Sequence, residues 1–178
     1  MTIRRAHPAD ASAVAVVHVR SWQAAFQNLI SQDFLDRLDP DQRSERWQQS
    51  LAESVWPRCG VLVAEESGHV VGFARFCPSR DDDLDSEAVG EVAAIYLLPA
   101  AWGRGHGRRL MTEALAALGA AGYREAALWV FDANQRARGF YHKGGWAADG
   151  AVRQARWPDS DSESDSAVRE VRYRHLLP

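Results

Sequence analysis

The chain has 178 residues, enough for one domain with a sizeable core. Its 46% hydrophobic and 25% charged residues are ordinary for a soluble globular protein, and a formal net charge of −3 argues against the basic surface that nucleic-acid binding needs. Cys59 and Cys77 lack metal-site spacing and are too few for a disulfide scaffold, no apolar run could span a bilayer, and the N-terminus lacks a secretory signal's apolar stretch. The expectation is a cytoplasmic protein with no metal, no nucleic-acid partner and no membrane partner.

Residues 2–6 predict a first strand. Pro8 and Asp10 mark a helix entry, and Val14, Val17, His18, Ser21 and Trp22 recur at helical spacing, which predicts a helix over 8–25. Asp39-Pro40 opens a second helix to about residue 53, with Trp47 and Leu51 facing inward. The period then changes to strands at 61–64 and 70–76 around a Ser67-Gly68 turn, followed by an acidic loop at 80–87. Residues 91–98 predict a long strand that Pro99 stops. A glycine-rich stretch leads into a helix to about Leu118, ended by Gly119 and Gly122. A strand at 126–131, a helix at 134–143 and strands near 146–148 and 168–175 complete the chain, with the polar loop PDSDSESDS at 158–166. No repeat or linker divides residues 1–178, so a single domain is expected. The order predicts an α/β (α+β) fold, a mixed central sheet of about seven strands with helices on both faces.

The stretch WGRGHGRRL, residues 102–110, sits at a strand-to-helix junction. Glycines there let backbone N–H groups converge on an anion, and the following helix adds its positive end. Arg104, Arg108 and Arg109 could add forked donors for phosphate. The spacing is G-x-G-x-G rather than the dinucleotide G-x-G-x-x-G, and no Gly-Lys-Ser/Thr follows, so neither common nucleotide loop fits. The remaining alternatives are a pyrophosphate cradle and a simple glycine-rich turn.

The segments EVAAIYLLPAAWGRGHGRRL and ALWVFDANQRARGFYHKGGW together resemble the GNAT superfamily of acyl-CoA-dependent N-acyltransferases. That family's Q/R-x-x-G-x-G/A motif maps onto Trp102, Gly103, Arg104, Gly105, His106 and Gly107, with tryptophan at the first position as a departure. The resemblance implies acetyl-CoA as acyl donor and a small-molecule or peptide amine as acceptor. The backbone of Ile95, Tyr96 and Leu97 would pair with the pantetheine arm, and the amides from Arg104 to Arg109 would hold the pyrophosphate. Strands 91–98 and 126–131 would splay apart to admit the arm. Asn134, Ala137 and Phe140 would complete the cofactor site.

An alkyl amine is only about 0.04% neutral near pH 7, so a base is useful. The resemblance implies Glu91 in that role and Tyr141 as the acid for the leaving thiolate. Alternatives are a solvated carboxylate at a strand end and a core aromatic. Asn134 reads equally well as a helix N-cap. Trp22 and Phe26 would shape the acceptor pocket, whereas His18 reads as a core histidine. The acidic loops at 80–87 and 159–165 either attract a cationic acceptor or are simply solvated. A homodimer could form along exposed edge strands and Trp157. The competing functional reading is an acyl-CoA-binding sensor or interaction module without turnover.

Overall fold

The computed structural model describes residues 1–155 and 168–177. One seven-stranded sheet holds β1 (Thr2–Arg5), β2 (Gly60–Glu66), β3 (His69–Pro78), β4 (Val89–Leu97), β5 (Glu125–Phe131), β6 (Ala147–Ala155) and β7 (Val168–Leu176), in the order β1-β2-β3-β4-β5-β7-β6. β4 and β5 run parallel, and the other neighbouring pairs are antiparallel. The helices are α1 (Ala11–Ala25), α2 (Gln32–Arg37), α3 (Pro40–Ala52), α4 (His106–Ala120) and α5 (Gln135–Lys143).

Strand alternation sorts the core into two layers. Leu62, Ala64, Ala74 and Phe76 meet Leu110 and Leu118 of α4 on one face. Val61, Val63 and Phe73 meet Val14 and Val17 of α1, with Trp47 and Leu51 of α3, on the other. Helices therefore cover both faces, as the sequence pattern implies. Each fully buried leucine or valine contributes about 1.5–3 kcal/mol of transfer free energy to this packing. Among the described residues, no helix is long and apolar enough to cross a membrane.

The structure departs from the sequence expectations in three places. Helix α2 was not expected; its six residues are too few to show a period, although Phe34 and Leu35 are buried. β6 runs on to Ala155, well past the expected 146–148, and its residues are nearly all exposed, so no alternation marks it. The 80–87 loop is not merely solvated. Its Asp83 forks onto the buried Arg172 guanidinium at 2.7 and 2.7 Å, and Asp81 lies 3.1 Å from it. The 159–165 loop and Trp157 lie outside the described residues.

Two irregularities in β4 make the opening that matters for function. Arg75 pairs with Ala94 but Phe76 pairs with Val92, so Ala93 bulges out of the ladder. The bulge sends Val92 toward α4 and Ala94 toward α1. β4 then pairs with β5 only from Val89 to Glu91, opposite Glu125 to Ala127. Beyond Glu91 the two strands part.

His18 is a core residue, as expected. Its ring stacks on Tyr96 with centroids 5.2 Å apart, and its Nδ1 accepts a hydrogen bond from Trp47 Nε1 at 3.2 Å. Burial, with a smaller contribution from Arg43, pulls its pKa from 6.5 down to about 3. The folded state thus keeps His18 neutral where the unfolded chain protonates it. Stability should fall as pH drops from about 6.5 toward 3, because the unfolded state binds the extra proton. His18→Gln should flatten this part of the profile, read by urea denaturation at pH 7 and pH 5. An equal loss in both proteins would remove His18 as the cause.

Candidate active site

A cavity of about 660 Å³ opens where β4 and β5 part. One end is built by the turn into α4. Gly103 and Gly105 have φ of 72° and 82°, and Gly105 is the N-cap of α4. A Cβ added at either position would meet nothing within 4 Å. These two glycines therefore serve backbone conformation rather than room. Arg109 makes the first backbone bond into the turn, to the Gly105 carbonyl at 3.2 Å. The amides of His106, Gly107 and Arg108 precede it, at the positive end of α4.

The arginines divide by position. Arg108 lines the cavity, as does Arg136 of α5, which sequence reasoning missed. The Arg136 guanidinium lies over the Trp102 ring, 3.5 Å from its centroid. The only signal in the sequence is the basic run NQRARGF at a helix start. Arg104 and Arg109, expected in the cradle, are not on the wall. The Arg104 guanidinium forks onto Glu66 at 2.8 and 2.6 Å, and the Arg109 amide is spent on the helix ladder. His106 is buried, its Nε2 3.6 Å from the same Glu66 carboxylate.

The open edge of β4 is shorter than the expected Ile95–Leu97. Leu98 donates to the Val71 carbonyl at 2.9 Å, and alternation then turns the Tyr96 backbone toward Phe73 of β3. Ile95 and Leu97 face the gap. The Leu97 carbonyl is occupied by two donors, the Ser21 hydroxyl at 2.8 Å and the Trp102 indole N–H at 2.9 Å. What remains toward the gap is both backbone groups of Ile95 and the Leu97 amide. Trp102, the departure from the family motif, thus contributes through its side chain.

Helix α5 brings Asn134, Ala137, Phe140 and Tyr141 to the wall. Asn134 is the N-cap of α5, its Oδ1 accepting from the Ala137 amide at 3.0 Å, and it also lines the cavity. Tyr141 is buried, and that burial, with Tyr96 adding to it, raises its pKa well above the ordinary phenol range.

On the α1 side the wall is Phe26, Tyr96, Trp129, Phe131 and Glu170. Burial pushes the Tyr96 phenol up to about 12. Trp22, expected on the wall, stands behind it, with its ring 5.2 Å from Phe26 and 6.3 Å from Tyr96.

Glu91, expected as the general base, is placed away from the cavity. It is buried but off the cavity wall, because it is the last β4 residue still paired with β5 and the sheet is closed there. Arg80 holds both its oxygens, through Nε at 3.0 Å and Nη2 at 2.6 Å. Glu91→Gln is expected to cost about 1–2 kcal/mol of stability and to leave turnover nearly unchanged, checked by denaturation and by the pH profile of kcat/KM. A profile displaced by this change would return the base role to Glu91.

The sequence pattern of the acetyltransferase (GNAT) family matches residues 22–146. The chain is 33% identical to the uncharacterized N-acetyltransferase YuaI of Bacillus subtilis (strain 168), over 75% of this chain and 73% of that one. Among solved structures it is similar to the PaiA N-acetyltransferase of Thermoplasma acidophilum in complex with coenzyme A. That match has a TM-score of 0.75 at 17% identity and covers 98% of each chain. It is also similar to a putative acetyltransferase of Salmonella typhimurium solved with acetyl-CoA, with a TM-score of 0.70 at 23% identity over 100% of this chain and 94% of that one.

Proposed function

The chain belongs to the acetyltransferase (GNAT) family and is an N-acetyltransferase; on that premise we propose that it moves the acetyl group of acetyl-CoA to a primary amine of a small molecule or peptide by direct attack, with donor and acceptor bound together. The observation that carries this reading is the cavity in the β4–β5 gap, with helix amides and two arginines at one end and aromatic walls at the other. Solved relatives of the same fold hold coenzyme A or acetyl-CoA.

Acetyl-CoA, when bound, supplies a thioester whose carbonyl carbon accepts the amine. The amides of His106, Gly107 and Arg108 would hold the pyrophosphate, with Arg108 and Arg136 balancing its charge. The pantetheine arm would pair with the Ile95 backbone, beside Asn134, Ala137 and Phe140. The Leu97 amide would donate to the carbonyl oxygen as it gains charge. Tyr141, held protonated by burial, would give its phenolic proton to the departing sulfur. With Glu91 off the wall, the acceptor ammonium loses one proton to water through the open mouth, and the second proton that the nitrogen sheds as the amide forms restores the Tyr141 phenol. Neither Cys59 nor Cys77 lines the cavity, which supports direct attack over a covalent relay.

The test is free-thiol release from acetyl-CoA across a panel of amino acids, polyamines, aminoglycosides, arylalkylamines and short peptides, each against a no-amine blank. Amine-dependent release without an acetyl-enzyme burst supports the proposal. Acetyl-CoA binding with no release from any amine would favour a binder without turnover.

A further inference from the structure

The cavity is electrically polarised, and the polarity says where the acceptor's charge goes. Its cations, Arg108 and Arg136, stand at the α4 and α5 end. Among the described residues of the wall, Glu170 of β7 is the one carboxylate, and it lies on the α1 side. Other acids of that side are already held by arginine and are off the wall: Asp81, Asp83 and Asp149 by Arg172, and Glu91 by Arg80.

Glu170 is buried, opposite Phe131 in the β5–β7 register. Its Oε2 accepts from Arg153 Nε at 2.7 Å. Arg153 is itself half-exposed, off the wall, 3.8 Å from Asp81 and 4.3 Å over the Trp129 ring. A guanidinium with those two other partners can share Glu170 with an incoming cation. Phe26, Tyr96, Trp129 and Phe131 flank the same space and would favour an apolar, preferably aromatic, body next to the charge. Among the described residues, no cation on this part of the wall would balance a carboxylate on the ligand.

We infer that Glu170 is the ammonium-binding residue of the acceptor subsite, and that the subsite selects arylalkyl amines that carry no carboxylate beside the amine. The inference rests on the transferase reading for the cavity's role but makes its own claim about binding.

The experiment is calorimetric binding of three probes to the full chain in the presence of coenzyme A, which needs no turnover. 2-Phenylethylamine carries the charge, 2-phenylethanol lacks it, and phenylalanine adds a carboxylate. Wild type should bind the amine about 10- to 100-fold more tightly than either of the others, the range of one charge-assisted hydrogen bond. Glu170→Gln should erase the preference for amine over alcohol while leaving alcohol and coenzyme A binding unchanged. Glu170→Asp should keep part of it, which guards against a misfolded Gln variant. An amine preference that survives Glu170→Gln, alcohol binding that falls in parallel, or no amine preference in wild type would each overturn the inference. A protein that binds the amine through Glu170 yet releases no thiol would instead sink the transferase reading and leave this one standing.

Discussion

Tyr141→Phe should lower kcat by about 100-fold, at the lower end of what a positioned general acid supplies, and should leave acetyl-CoA affinity nearly unchanged. The change removes a single oxygen from a side chain that lines the cavity. The ring itself, packed 6.2 Å from Trp146 and 6.2 Å from Tyr173, would stay in place. The melting temperature should therefore barely move, and the loss should be confined to kcat. The pH dependence carries a second signature. An acid acts only while protonated, and burial raises the Tyr141 pKa, so any high-pH decline in kcat that reflects this phenol should begin above the ordinary phenol range in wild type. That limb should vanish in the variant. Equal kcat in the two proteins would reduce Tyr141 to a packing residue.

Gly105→Glu should cost at least about 100-fold in acetyl-CoA affinity, through two additive causes. Position 105 has φ of 82°, where an L side chain is strained by roughly 1–2 kcal/mol. The new carboxylate would also stand at the amides meant for pyrophosphate. Crowding is not the cause, because a Cβ there meets nothing within 4 Å. An acid near the start of α4 is favourable to the helix itself, so the variant should fold. Gly105→Asn, which tolerates the left-handed region, separates the two causes and should lose far less. Both affinities can be read by calorimetry with acetyl-CoA. An undiminished Gly105→Glu affinity would remove the cradle from the cofactor site.

Much of this was legible in the sequence because the relevant signals are local. Continuous apolar runs marked β2 and β5, the Ser67-Gly68 turn marked the hairpin of β2 with β3, and the α4 turn announced itself through glycines that have positive φ at 103 and 105. What stayed hidden depends on pairing between distant segments. Glu91 looked available from its place at a strand end, but only the β4–β5 register reveals that the sheet is still closed there. Arg104 looked like a phosphate ligand until Glu66, 38 positions away, claimed it. VREVRYRH does not by itself mark Glu170 as an acceptor ligand. The available clue was that Glu170, Arg172 and Arg174 fall on one face of a strand whose other face carries Val171 and Tyr173. Charges on the face opposite two apolar residues imply partners across the sheet. Tryptophan at position 102 read as a motif departure, and only the coordinates reveal its bond to the Leu97 carbonyl.

The strand order has a consequence for how the molecule is made. β7 is the latest strand in chain order, yet it lies between β5 and β6 rather than at the rim. It carries Glu170 and also Arg172, whose bonds to Asp81 and Asp83 reach back 91 and 89 residues. During synthesis the α1 and α4 layers over β1 to β4 can consolidate while β5 still has an uncovered edge. The Glu170 side of the cavity comes into being only when β7 is inserted, a long-range and therefore slow closure. A nascent chain thus completes the glycine turn into α4 before the one carboxylate among the described residues of the cavity wall is in place.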